Sequence, residues 1–355
     1  MRILILNYEF TPLGGGASPV SYELAKGYVK LGHKVTVITM GFKGLLPEEV
    51  VDGIKVYRVK CLRSKKEMCS PHEMLSYVLS AKRFLKRHME EHTYDINHTH
   101  FIIPTGVVSL WLKKRYGLPY IVTSHGSDVL GYNKRFRFLY PLMVGRWRRI
   151  IKEAKVVVTP SKFLMEKIME KAIGKFAVIP NGIDGTKFKP MKKEKRILIV
   201  ARLFPNKGVQ DILEALHGVD LSGWKVDIVG DGPYRAVLEE KAKGLSNVTF
   251  HGWVDHSSRK MKELYGHASI FISASYFESF GMTVLEAMSA GCYPIVSDIE
   301  AHREVVKREC LFKIHEYEEL KNLLGKKLVK MSKNRVYLMD LNIKKTVLEY
   351  LRILK

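Results

Sequence analysis

Short apolar runs rich in Ile, Val and Leu alternate with stretches of helical periodicity along the chain. The alternation begins afresh half-way, where Arg196-Ile-Leu-Ile-Val200 echoes Arg2-Ile-Leu-Ile-Leu6. Continuous apolar runs are what strands need when a sheet is covered on both faces, and parallel strands joined by helices achieve that cover. The restart therefore predicts two doubly wound, Rossmann-like α/β domains, for which 355 residues give ample length. Strands are expected at 3–7, 34–40, 55–60, 96–100, 120–124, 156–159 and 176–179 in the first, and at 196–200, 225–229, 248–250, 270–273 and 293–297 in the second. The polar stretch from Asn181 to Glu194 supplies the linker. The expected division is 1–180, a linker over 181–195, a second domain over 196–335, and a helical tail, 336–355, able to cross back to the first domain.

Composition excludes several classes. No uninterrupted apolar stretch reaches membrane-spanning length, and Asn7 and Glu9 break the opening run too early for a signal peptide, so a cytoplasmic protein is expected. Cys61, Cys69, Cys292 and Cys310 include no close pair suited to zinc or redox chemistry and read as buried small residues. The formal charge is +23, of which residues 1–180 carry +16 and residues 181–355 carry +7. Such a surplus suits nucleic acid, anionic lipid or phosphorylated substrates, and does not choose among them.

The segment Glu278-Ser-Phe-Gly-Met-Thr-Val-Leu-Glu286 narrows the choice. It follows an apolar strand and runs into a helix that Gly291 stops, which puts Glu278 in a loop and Glu286 on the helix. Unpaired N–H groups near Gly281, Met282 and Thr283, aided by the helix dipole, would hold a phosphate. Glu286 lies one turn further along the same face, where it would meet the two hydroxyls of an attached ribose. Glu278 would bind whatever hangs from the far end of a diphosphate. The alternative is that Glu278 caps the helix and Glu286 is a solvated surface residue.

Other residues stand at strand ends, where open α/β sheets place their ligands. Arg202 and Lys207 follow the first strand of the second domain and would neutralise a departing diphosphate, against the alternative of ordinary surface cations. Gly14-Gly-Gly16 lets backbone approach a phosphate or sugar, or is a flexible turn; Gly230-Asp-Gly-Pro233 is a further strand-to-helix turn. His125-Gly-Ser-Asp128 follows the strand at 120–124, with His125 suited to a sugar hydroxyl and Asp128 to orienting an acceptor. His98 and His100 raise a three-histidine metal site with His125, but spacing establishes no convergence, and no Asp-x-Asp is present to hold a divalent ion on a diphosphate.

In order, Gly14-Gly-Gly16, His125-Gly-Ser-Asp128, Pro180-Asn-Gly-Ile-Asp184, Arg202 with Lys207, Gly230-Asp-Gly-Pro233 and Glu278-x7-Glu286 resemble the retaining glycosyltransferases of family 4 over nearly the whole chain. The resemblance implies the GT-B fold, two Rossmann-like domains facing each other across a deep cleft. It implies that Arg202 and Lys207 bind the donor diphosphate, Glu286 the ribose and Glu278 the transferred sugar, with His125 beside the reacting centre. The backbone of Phe280, Gly281, Met282 and Thr283 would complete the diphosphate site, with Gly15 and Gly16 approaching from the other domain. After Asp298 the family often has Gly-Gly before a glutamate, whereas this chain reads Ile299-Glu-Ala-His-Arg-Glu304, which leaves the role of Glu304 open.

The expected activity is metal-independent transfer of a hexosyl or N-acetylhexosaminyl group from a UDP- or GDP-sugar to a glycan, lipid-linked or small-molecule acceptor, with retention of configuration. No cofactor is expected, because the nucleotide sugar is a substrate. A nucleotide-sugar epimerase shares the two-domain architecture and remains the alternative within enzymes. A nucleic-acid-binding protein would explain the charge but not the carboxylates and glycines at strand ends, and no recognised nucleic-acid module is present. Residues 130–155 carry Lys134, Arg135, Arg137, Arg146, Arg148, Arg149, Lys152 and Lys155 against the single acid Glu153, interleaved with Tyr132, Phe136, Phe138, Tyr140 and Trp147. That mixture suits an anionic membrane surface and a peripheral enzyme, or else a basic helix whose aromatics pack inward, with Pro141 set against one continuous helix.

Overall fold

The computed structural model describes residues 1–66, 68–131, 140–329 and 342–355. The chain forms two compact units, Met1–Gly182 together with Ile343–Lys355, and Ile183–Asn342. The boundary at residues 335 and 336 lies outside the described residues.

The first unit is built on eight strands: β1 (Arg2–Leu6), β2 (Lys34–Met40), β3 (Glu48–Val51), β4 (Ile54–Val59), β5 (Ile96–His100), β6 (Tyr120–Thr123), β7 (Val157–Thr159) and β8 (Phe176–Val178). Their order across the sheet is β3-β4-β2-β1-β5-β6-β7-β8, parallel except for the edge strand β3. Ile3, Leu4, Ile5 and Leu6 are all fully buried, as a central strand covered on both faces requires. Sequence reading missed β3 because its apolar content is low, yet the Asp52-Gly53 turn joining it to β4 has positive φ at both residues, a hairpin signal that was there to read.

The second unit has β9 (Glu194–Val200), β10 (Lys225–Val229), β11 (Val248–Gly252), β12 (Ala268–Ser273), β13 (Tyr293–Ser297) and β14 (Leu311–Phe312). They form one parallel sheet in the order β11-β10-β9-β12-β13-β14. Both sheets therefore reverse direction beside their first strand, between β1 and β5 and between β9 and β12. Those two switch points are where a doubly wound sheet opens a crevice at its carboxyl edge.

The helix Ile343–Leu354 packs on the helix Ala17–Lys30 of the first unit, where Gly27 leaves room for Val347. Thr346 Oγ1 donates to the Pro180 carbonyl at 3.0 Å, and the Tyr350 hydroxyl lies 3.0 Å from Thr123 Oγ1 at the end of β6. Among the described residues, no helix is long and apolar enough to cross a membrane.

Candidate active site

At the switch point of the second sheet, the turn after β9 and the loop after β12 are fastened together. Gly208 ends the short 3-10 turn Pro205–Lys207 with φ of 65°, and a side chain there would run into the Ala274 carbonyl. The Tyr276 amide donates to the Asn206 carbonyl at 3.0 Å. This contact brings Lys207 onto Glu278 as an ion pair, with Ser275 Oγ donating to the same carboxylate oxygen at 3.0 Å. Burial raises the Glu278 carboxyl, but the Lys207 ammonium, His302 and the Ser275 hydrogen bond outweigh it and hold the group below the usual carboxylate range. Arg202, one strand-end residue earlier, is exposed, with its guanidinium 5.8 Å from the Phe204 ring centroid. Gly230 and Gly232 lie against the carbonyls of Ala201 and Leu203, so that turn shapes the Arg202 loop by close backbone packing.

Three residues past Glu278, Gly281 adopts φ of 89° and starts the helix Met282–Ser289. The N-cap residue of that helix is Gly281 itself, and the Glu278 carboxylate is held by Lys207 and Ser275. The Phe280 side chain is in the core, while Met282 and Thr283 are half-buried. Glu286 is buried rather than solvated: its Oε1 lies 2.8 Å from His256 Nε2, and the Tyr265 hydroxyl donates to Oε2 at 2.8 Å. Burial lowers the His256 pKa, but the Glu286 charge and hydrogen bond prevail and raise it above its ordinary value. His256 and Tyr265 were not singled out from sequence. Neither follows a spacing rule, because each reaches Glu286 through the fold.

His302 is a second histidine that sequence reading passed over, in the segment where Glu304 drew attention. Its Nδ1 lies 2.8 Å from the Ser297 carbonyl, and its ring edge abuts Gly281. Ser297 Oγ donates to the Ser275 carbonyl, joining this imidazole to the Glu278 loop. Glu304 itself is half-buried just after the short helix Glu300–Arg303.

In the first unit, Gly14 has φ of 94° and a side chain there would strike Glu9, whereas Gly15 and Gly16 face open space. Gly16 begins the helix Ala17–Lys30. His125 is half-buried with Nε2 3.0 Å from His100 Nδ1, and burial pushes its pKa down to about 3. His98 is held between the Tyr28 hydroxyl at 3.2 Å and Thr123 Oγ1 at 2.8 Å. The three imidazoles stack in a column rather than converging on a point, and among the described residues no His, Cys, Asp or Glu cluster could hold a metal ion. Asp128 is buried and accepts from the amides of Ile102 at 2.6 Å and His125 at 3.1 Å and from Ser124 Oγ at 2.9 Å. Its observed work is to fasten the His125 loop to the end of β5.

Two models of known families match the chain, Glycosyltransferase Family 4 over residues 14–187 and Glycosyl transferases group 1 over residues 184–338. The chain belongs to the family 4, group 1 glycosyltransferases. An uncharacterized glycosyltransferase of Methanocaldococcus jannaschii is 29% identical over 87% of this chain and 83% of its own length. The alpha-monoglucosyldiacylglycerol synthase of Streptococcus pneumoniae is 27% identical over 84% of this chain and 71% of its own. The Anabaena protein HepE, solved with UDP and glucose, superposes with a TM-score of 0.78 at 18% identity, covering 100% of this chain and 99% of that one. The GT-B fold of this glycosyltransferase is thereby established, with both Rossmann-like units accounted for.

The basic segment of this glycosyltransferase bears on both readings offered for it. Tyr132, Lys134, Arg135, Phe136, Arg137 and Phe138 lie outside the described residues. Pro141 is the second described residue of the helix Tyr140–Glu153, and the stretch before Tyr140, on which continuity of a longer helix turns, lies outside the described residues. Trp147 does not face outward: it is fully buried, and its indole N–H donates to the Asp128 carbonyl at 2.9 Å. Arg146, Arg148, Arg149 and Lys152 are exposed on the same helix, as is Leu142 at 84%.

Proposed function

We propose that this chain is a retaining glycosyltransferase that moves a hexosyl or N-acetylhexosaminyl group from a UDP- or GDP-sugar to a glycan, lipid-linked or small-molecule acceptor. The observation that carries the reading is the Lys207–Glu278 ion pair at the switch point between β9 and β12, with exposed Arg202 on one side and the start of the helix Met282–Ser289 on the other. In this reading the donor diphosphate takes Arg202, Lys207 and the amides of Gly281, Met282 and Thr283. Glu278, released from Lys207, accepts hydroxyls of the transferred sugar. Each oxygen of Glu286 keeps a lone pair beyond its bond to His256 or Tyr265, which matches the two hydroxyls of a ribose. The open space at Gly15 and Gly16 is what close approach to a ligand needs, since steric demand within the unit accounts for Gly14 only.

The acceptor oxygen attacks the anomeric carbon on the face from which the diphosphate leaves, and the departing phosphate oxygen takes the acceptor proton. Catalysis then rests on orienting the reactants and stabilising the leaving charge with Arg202 and Lys207. HepE's complex with UDP and glucose supports a uridine donor. The exposed Leu142 on the helix that carries Arg146, Arg149 and Lys152, and the exposed Ile173, which lines a surface cavity with Lys152, together with the lipid glycosyltransferase relative, support a peripheral membrane enzyme with a lipid-linked acceptor. The test is the anomeric configuration of the product by NMR, from a reaction run in excess chelator. Retention with undiminished transfer is expected. An inverted product, or complete loss restored by a divalent metal, overturns the mechanism.

A further inference from the structure

Residues 98 and 100 point to one face of β5, and His125 joins them from the loop after β6. The ring centroids of His98 and His100 are 4.4 Å apart, and those of His100 and His125 are 5.3 Å apart and within 13° of parallel. Burial keeps all three neutral: His98 and His125 are pushed down to about 3, and His100 well below its ordinary value. A neutral imidazole has one N–H and one lone pair, so in the His100–His125 hydrogen bond one ring donates and the other accepts.

The enclosed Nε2 of His100 decides which. It has no hydrogen-bond partner. If the proton sat there, a buried N–H would be orphaned and Nδ1 would have to accept from His125. With the proton on Nδ1, only a lone pair goes unmatched, and unmatched acceptors are tolerated better than orphaned donors. We infer that His100 fixes His125 in its Nδ1–H tautomer by donating from its own Nδ1 to His125 Nε2. The inference deepens the proposed function and rests on the expectation, implied by the family resemblance, that His125 serves the reacting centre of that transfer. His125 is then a hydrogen-bond donor toward sugar oxygens rather than a base for the acceptor, which fits proton transfer to the departing phosphate. His100 is a positioning residue, acting through His125.

Long-range proton–nitrogen NMR of the full chain with nitrogen-15 histidine reads the tautomer directly, with His125 assigned by comparison with His125→Asn. The expected spectrum near neutral pH has hydrogen on Nδ1 of His125. His100→Phe keeps the aromatic ring but removes the donor, so His125 should shift toward the Nε2–H form and transfer should fall at least about tenfold, as for other histidines left in the wrong tautomer. His100→Asn, whose amide nitrogen stands close to the Nδ1 position, should restore both. Hydrogen on Nε2 in the unaltered protein, or an unchanged tautomer in a folded His100→Phe, overturns the inference. A shifted tautomer with full transfer upholds it and instead removes His125 from the sugar site.

Discussion

Lys207 and Glu278 form the ion pair on which the proposed donor site turns, and their partial burial makes removal of either informative. Lys207→Ala removes a cation from the leaving group and should lower the transfer rate by about 10²–10³-fold, the usual scale for losing one preorganised charge-stabilising group. A rate within a few-fold of the original would show that Lys207 serves only to hold Glu278. The histidine column makes a separate prediction. His98, His100 and His125 stay neutral in the fold, whereas in the unfolded chain they protonate near pH 6.5. The unfolded state therefore binds more protons below that pH, and stability is full above about pH 6.5 and lost progressively toward the folded values near 3. Each histidine that titrates fully on unfolding contributes a slope of about 1.4 kcal/mol per pH unit. Urea unfolding followed from pH 7 to pH 4 should show the decline, with a shallower slope in His98→Gln. Flat stability over that range would mean that the column is not buried as described.

The carboxylates at 278 and 286 were legible because a helix start and a seven-residue interval lie within one stretch of chain. His256, Tyr265 and His302 were not, because their relation to those carboxylates runs through separate loops and strands that only the folded sheet brings together.

Among the elements, strands buried on both faces were the easiest to read: β2, β5, β10 and β13 occupy the expected positions residue for residue. The edge strand β3 and the two-residue β14 escaped, since an edge strand needs few apolar residues and two residues carry no period. Trp147 illustrates a different point, a choice that sequence left open between two readings. A basic segment studded with aromatics looks alike whether its rings face lipid or core, and the hydrogen bond to Asp128 that decides the matter is 19 residues distant. At this scale the critical contact is between the turn after β9 and the loop after β12. Gly208→Ala puts a side chain at positive φ against the Ala274 carbonyl and should destabilise the protein by about 1–3 kcal/mol while displacing Lys207. Gly15→Ala meets nothing and should leave the unfolding midpoint in place. Equal stability of both variants in a denaturant titration would contradict the packing account.

Over the whole molecule, the charge of +23 resides mainly in residues 1–180, which include the exposed cations of the helix Tyr140–Glu153. If this face meets a membrane, co-sedimentation should rise with the anionic lipid content of the vesicles and fall with salt, and Leu142→Ser with Arg149→Ser should weaken it. Absence of binding at every composition and ionic strength would leave a soluble glycan or small molecule as the acceptor. The central claim, that the second unit takes a nucleotide diphosphate sugar across Arg202, Lys207, Glu278 and Glu286, is tested most directly by calorimetric titration of the donor and its free nucleoside diphosphate into the protein, Glu286→Gln and Glu278→Gln. The account predicts that Glu286→Gln weakens both ligands through the ribose, whereas Glu278→Gln weakens the sugar-bearing donor much more than the free diphosphate. Equal nucleoside diphosphate affinity in the original protein and Glu286→Gln would contradict it.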